Sequence, residues 1–196
     1  MKIEPVILEG RFVRLEPLTS KHVEQLWRAG CDPVLWGLIP TQIKSLADMD
    51  SYVRSAIADA DRGVALPFVT VDRGSNIVIG STRFGNLDAA NRRAEIGWTW
   101  LSPAWHRTYA NTEAKLLMLT HAFEIWRCIR VELKTDELNH VSRNAILRLG
   151  AVQEGIFRNH MITENGRLRN SVYFSIIDSE WDAVKDGLTQ KLGSAI

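Results

Sequence analysis

Apolar positions along this chain switch repeatedly between a spacing of two and a spacing of three or four. Gly10–Leu18 sets Phe12 and Leu15 among arginines and ends at Pro17, which predicts a first strand. Thr19-Ser20 then caps a helix through KHVEQLWRAG, with Val23, Leu26 and Trp27 on one face and Gly30 as its stop. Cys31–Thr41 is irregular yet carries Leu35, Trp36, Leu38 and Ile39, so it either packs over the core or lines a cleft. Ser45 caps a second helix, Leu46–Asp61, which turns Met49, Tyr52, Val53, Ala56 and Ile57 inward. Leu66–Asp72 and Ile77–Phe84 read as strands joined by the turn Arg73–Asn76, and Asn86–Arg92 is a polar turn.

The next stretch, Arg93–Ala151, reads strand, loop, helix, strand, helix. Its first strand is Arg93–Leu101, ended by Ser102-Pro103. The loop Ala104–Asn111 opens a helix at about Thr112, with Leu116, Leu119, Phe123 and Trp126 on one face. Arg130–Thr135 is a short strand, and a helix runs from near Asn139 to the stop at Gly150. Two alternating strands follow, Ala151–Ile162 and Arg167–Ile177, joined by Thr163–Gly166 with its Asn-Gly turn signal. Asp178 or Ser179 caps a final helix, Glu180–Leu188, and Thr189–Ile196 is expected to be a loose tail. The hairpins and two strand–helix crossovers imply a single α/β domain over residues 1–196, with a mixed, mostly antiparallel sheet flanked by helices.

Composition narrows the functional classes. With 45% hydrophobic and 24% charged residues the chain is an ordinary globular one. A net charge of +1 without a basic stripe disfavours nucleic acid as a partner. Cys31 and Cys128 form no CxxC pair, which fits a reducing compartment and argues against a zinc site. MKIEPVILEGR does not read as an export signal, and no segment approaches the ~20 apolar residues of a membrane span, so a cytoplasmic protein is expected.

The stretch AEIGWTWLSPAWHRTYANTEAKLLMLTHAFE, followed by RVELKTDELNHVSRNAILRLGA, resembles the acetyl-CoA-binding half of the GNAT superfamily of N-acyltransferases. The flanking LEGRFVRLEPLT, Glu154-Gly155 with Arg158, NGRLRNSVYFSIID and EWDAVK extend the resemblance over nearly the whole chain, towards the branch of the ribosomal-protein-alanine N-acetyltransferases. It implies a GNAT-like twisted sheet splayed between its fourth and fifth strands to admit the pantetheine arm. It also implies acetyl-CoA as co-substrate, without a metal, and an acceptor amine on a protein N-terminus or a small molecule.

Amine acylation from a thioester needs close approach, a stabilised oxyanion and a route for the amine proton. A loop running into a helix start offers unpaired N–H groups to phosphates. By resemblance that loop is His106, Arg107, Thr108, Tyr109, Ala110 and Asn111, with Thr112 at the helix start. It departs from the family pattern, because Tyr109 and Asn111 stand where glycine or a small residue is usual. Asn139 would bond the pantetheine arm, Arg143 the phosphates, and Ser142 would protonate the leaving thiolate. Asn139 could equally be a plain N-cap, Ser142 a first-turn residue and Arg143 solvent-facing. The acetyl oxygen would meet a backbone N–H within Trp98, Thr99, Trp100 and Leu101.

Glu95 is the candidate base. Strict alternation puts it on one face with Gly97, Thr99 and Leu101, and the other reading pairs it with Arg83, Arg92 or Arg93. Met161 occupies the position of a further carboxylate credited to the ribosomal branch, and His160 is expected to point to the opposite face. A non-catalytic acyl-CoA-binding or regulatory module, or an interaction domain, is the competing function. The protein could act as a homodimer.

Overall fold

The computed structural model describes residues 1–194. Its strands are β1 (Leu8–Glu9), β2 (Val13–Pro17), β3 (Leu66–Asp72), β4 (Ile77–Asp88), β5 (Arg93–Leu101), β6 (Arg130–Asp136), β7 (Val152–Ile162) and β8 (Leu168–Ile177). Its helices are α1 (Val23–Gly30), α2 (Leu46–Asp61), α3 (Tyr109–Thr120), α4 (His140–Leu149) and α5 (Trp181–Gly193). All eight strands join one sheet in the order β1-β2-β3-β4-β5-β6-β8-β7.

Every neighbouring pair is antiparallel except β5 and β6. Those two pair only at Arg93–Arg130, Ala94–Val131 and Glu95–Glu132, and then part. They are the fourth and fifth strands read from the sequence, so the sheet is splayed where expected. Helices cover both faces. On one, Phe84, Ile96, Met118, Leu119, Val131, Phe174 and Ile176 belong to the larger core, with α3 and α5 packed together above it. On the other, Leu26, Trp36, Met49, Tyr52, Val53 and Trp100 form a smaller core under α1 and α2. β3 lies between the two and is buried at all seven positions, as a strand covered on both faces must be.

The bounds differ from expectation in four places. Thr108, not a residue nearer Thr112, caps α3: its Oγ1 accepts from the Ala110 N–H at 3.2 Å, so Tyr109, Ala110 and Asn111 wind into the first turn. The helix then widens into a π turn at His121–Ile125 before Trp126. β4 runs on to Asp88, which shortens the polar turn. The expected tail is helical to Gly193, because Leu188 and Leu192 continue the buried i, i+4 stripe of Trp181 and Val184. Ala195 and Ile196 lie outside the described residues.

The irregular stretch before α2 is partly core, with Trp36 buried and its indole N–H donating to the Gly30 carbonyl at 2.7 Å. It is tied to the β7–β8 turn, where Glu164 donates its N–H to the Pro40 carbonyl at 3.2 Å and accepts from Gln42 N–H at 2.7 Å. Among the described residues no helix is long and apolar enough to cross a membrane.

Candidate functional site

The open end of the splay is the C-terminal end of two parallel strands. α3 follows β5 and α4 follows β6, so both helix N-termini lie at that end. Crevices outside the carboxyl ends of parallel strands are where α/β folds bind ligands.

β5 does not alternate strictly. Ser81 pairs with Trp100 but Arg83 pairs with Gly97, so Thr82 faces two residues, Trp98 and Thr99. Trp98 takes φ +49°, the left-handed region, and makes a β-bulge. The expected face assignment is therefore wrong beyond Gly97. Glu95 shares its face with the Trp98 side chain, whereas Thr99 and Leu101 turn to the α3 side with Ile96. The Trp100 ring packs into the smaller core against Trp36, leaving only its backbone for a ligand in the splay. Trp98 is 41% exposed, and its ring lies where Gly85 would carry a Cβ.

Glu95 is 2% exposed. Its Oε2 accepts from Asn86 Nδ2 at 2.6 Å and Lys134 Nζ at 3.0 Å. The partner is thus a lysine on β6 rather than Arg83, Arg92 or Arg93. Its Oε1 is turned towards Gly97, 2.9 Å from where a Cβ would sit.

His160 also departs from alternation. Phe157 pairs with Ser171 and Met161 with Arg169, so Arg158, Asn159 and His160 bulge opposite Asn170 alone, with Asn159 at φ +49°. The bulge turns the imidazole inward, to 3.0 Å from Ser171 Oγ and 3.3 Å from Tyr173 Oη. Tyr173 in turn lies under Lys134, so His160 joins the Glu95 face after all. Burial, with Lys134 and Arg169 nearby, lowers the His160 pKa below its ordinary value, which favours the neutral, proton-accepting ring. A cleft of about 780 Å³ opens beside it, lined by Phe157, Arg158, Asn159, His160 and Asn170.

The α3 N-terminus brings Arg107 (φ +61°), Thr108 and the first-turn N–H groups together. His106 Nε2 lies 2.9 Å from the Leu101 carbonyl. Tyr109 swings away from the terminus: its ring stacks on Phe12 at 4.6 Å and its hydroxyl donates to Asp72 Oδ1 at 2.8 Å. Ala110 is fully buried, while Asn111 and Thr112 are half-buried. At α4, Asn139 is the N-cap, its Oδ1 accepting from Ser142 N–H at 2.9 Å. Ser142 is half-buried, and Arg143 reaches back to the Glu137 carbonyl at 3.3 Å.

One group carried no signal in the sequence reading. Lys115, on α3, is buried, with Nζ 2.5 Å from Thr99 Oγ1 and 3.2 Å from Thr82 Oγ1, and its pKa is pushed down to about 7 by burial. Among the described residues no group of His, Cys, Asp or Glu is arranged to hold a metal ion.

Comparison with known proteins fits this geometry. The sequence pattern of the Acetyltransferase (GNAT) domain matches residues 13–152. YdaF of Bacillus subtilis strain 168, described as a "putative ribosomal N-acetyltransferase", is 34% identical over 51% of this chain. That match spans just over half of YdaF, 54% of its length. The uncharacterized N-acetyltransferase p20 of Bacillus licheniformis is 29% identical over 72% of this chain and 76% of its own. A crystal structure of a GCN5-related N-acetyltransferase from Brucella melitensis superposes with a TM-score of 0.88 at 33% identity, covering 95% of this chain and 85% of that one. With its splayed sheet, its two helix N-termini at the open end and a domain match over most of its length, the chain belongs to the GNAT acetyltransferase family.

Proposed function

We propose that the protein transfers an acetyl group from acetyl-CoA to a primary amine, by direct attack of the amine on the thioester within a ternary complex. The observation that carries this reading is the parting of β5 from β6 beyond Glu95, with two helix N-termini at the open end. The fit to the donor is supported by Tyr109, whose ring is drawn onto Phe12 and Asp72 and so does not crowd the terminus.

In this reading Arg107, Thr108, the free N–H groups of Tyr109 and Asn111 and the Thr112 hydroxyl hold the pyrophosphate, with His106 and Arg143 beside it. Asn139 bonds the pantetheine arm, and a backbone N–H after the Trp98 bulge meets the thioester oxygen. The amine proton passes to Glu95 through Oε1, directly or by way of water. The C–S bond then breaks, and the thiolate leaves hydrogen-bonded to Ser142 Oγ–H, which passes it a proton taken up in turn from water. The free thiols Cys31 and Cys128 suit a cytoplasmic location.

A second reading of the base rests on His160, which the β7 bulge turns onto the same face in a neutral form. Thiol release from acetyl-CoA, followed against pH with simple amines, separates the two. If Glu95 is the base, Glu95→Gln lowers kcat by ~10²-fold or more and His160→Gln leaves the acid limb of the profile in place. If His160 is the base, the limb lies below its ordinary 6.5 and disappears in His160→Gln. No binding of acetyl-CoA in a calorimetric titration would overturn the enzyme reading altogether, in favour of an interaction domain.

A further inference from the structure

We propose that the acceptor amine carries a carboxylate, and that Arg83 and Tyr52 bind it. The inference rests on the acetyltransferase reading and names the substrate class.

The Arg83 side chain is 4% exposed. Its guanidinium lies between two rings, 5.2 Å from the centroid of Tyr52 and 5.0 Å from that of Trp98. Its nearest carboxylate, Asp59 Oδ2, stands at 3.4 Å, and the other Asp59 oxygen is taken by Arg62 at 2.5 Å. One anion thus serves two cations, and the Arg83 Nε–H meets no acceptor.

Among the described residues, four buried side-chain polar atoms lack a hydrogen-bond partner, and three belong to this layer: Arg83 Nε, Tyr52 Oη and Trp100 Nε1. Tyr52 and Trp100 both pack on Trp36, with centroids 6.4 and 5.2 Å away. All three can donate. A water accepts at most two hydrogen bonds, whereas a carboxylate presents about four lone-pair sites and balances the charge of Arg83.

Trp98 links this layer to the reacting centre. The same ring carries Arg83 at 5.0 Å and Lys134 at 5.9 Å, and Lys134 holds Glu95. An acceptor with its amine at Glu95 and its carboxylate at Arg83 would straddle the exposed indole. Two fixed cations flanking one ring make the spot unfavourable for a bare ammonium ion and favourable for a zwitterion. The carboxylate could belong to a free amino acid or to an acidic residue at a peptide N-terminus.

The experiment is thiol release from acetyl-CoA with matched acceptors: free amino acids, their amides, and short peptides beginning with Asp or with Asn. In one of the two series the wild type should prefer the carboxylate over its neutral twin by at least ~10²-fold in kcat/KM. A preference within the free amino acids identifies a small acceptor, and one within the peptides an acidic N-terminus. In Arg83→Gln the preference should collapse to within a few-fold while the rate with amides is kept. A merely structural arginine would lower both together. Tyr52→Phe, which keeps the ring, should cut the preference several-fold and covers the case in which Arg83→Gln does not fold. Amides and Asn peptides both used as well as their carboxylate twins would overturn the inference and leave the acetyltransferase reading standing. No thiol release with any amine would overturn both.

Discussion

Lys115→Met tests the energetics of the α3–β5 contact. Lys115 is buried with its Nζ beside the Thr82 and Thr99 hydroxyls, and burial is what shifts its titration. Moving it from 10.5 to about 7 corresponds to about 5 kcal/mol against folding wherever both states carry the proton, which is below pH 7. Between pH 7 and 10.5 the unfolded chain binds more protons than the folded one, so stability rises with pH. From pH 6 to pH 9 the rise from this group alone is about 3 kcal/mol. Methionine has nearly the same length and no proton to lose. The Thr82 and Thr99 hydroxyls it leaves behind still bond each other at 2.8 Å. The variant should be the more stable protein at pH 6, and its advantage should shrink by about 3 kcal/mol at pH 9. Urea denaturation at the two pH values measures this, and taking the difference between proteins cancels every other titrating group. A difference that stays constant within about 0.5 kcal/mol would refute the reasoning.

Two further outcomes follow from the packing. Glu113 on α3 accepts the N–H groups of Arg11, Phe12 and Val13 at 2.8, 2.7 and 2.6 Å, so Glu113→Gln turns an amide N–H₂ towards these donors. It should cost about 1–3 kcal/mol in urea denaturation and speed hydrogen exchange at Phe12 and Val13. The Glu154 carboxyl is held at about 2 by Arg130, so it stabilises the fold above pH 4.5 and is lost as pH falls through 2. Glu154 is 40% exposed, so solvent screening keeps the effect under about 1 kcal/mol; Glu154→Gln should flatten that acid slope and lower stability near neutral pH by that same amount.

Local chemistry was legible in the sequence where a single residue decides an outcome. Ser45 caps α2, and Gly150 ends α4 at φ +101°. The splay between β5 and β6 was legible too, through family resemblance. Elements with long-range causes were not. β1 pairs over only two residues, and Glu113 anchors a turn some hundred positions away, as does no i, i+4 rule. The Glu95–Lys134 pair joins strands whose neighbourhood only the fold creates. Lys115 reads as polar surface in a helix whose apolar stripe was drawn through Leu116 and Leu119. Side-chain directions were misread on two strands, β5 and β7, for one reason. Trp98 and Asn159 both take positive φ, and a period of two carries no sign of a left-handed residue that is not glycine.

The bulge at Trp98 also sets how this strand tolerates change. Substitutions at Thr99 or Leu101 act one side chain at a time. Loss of the codon for Trp98 would restore plain alternation across the bulge, with Leu101 still in the larger core and the Trp100 indole still in the smaller one. β5 is therefore a strand whose extra residue can be spared by the fold but not by the site, because what its loss removes is the indole between Arg83 and Lys134.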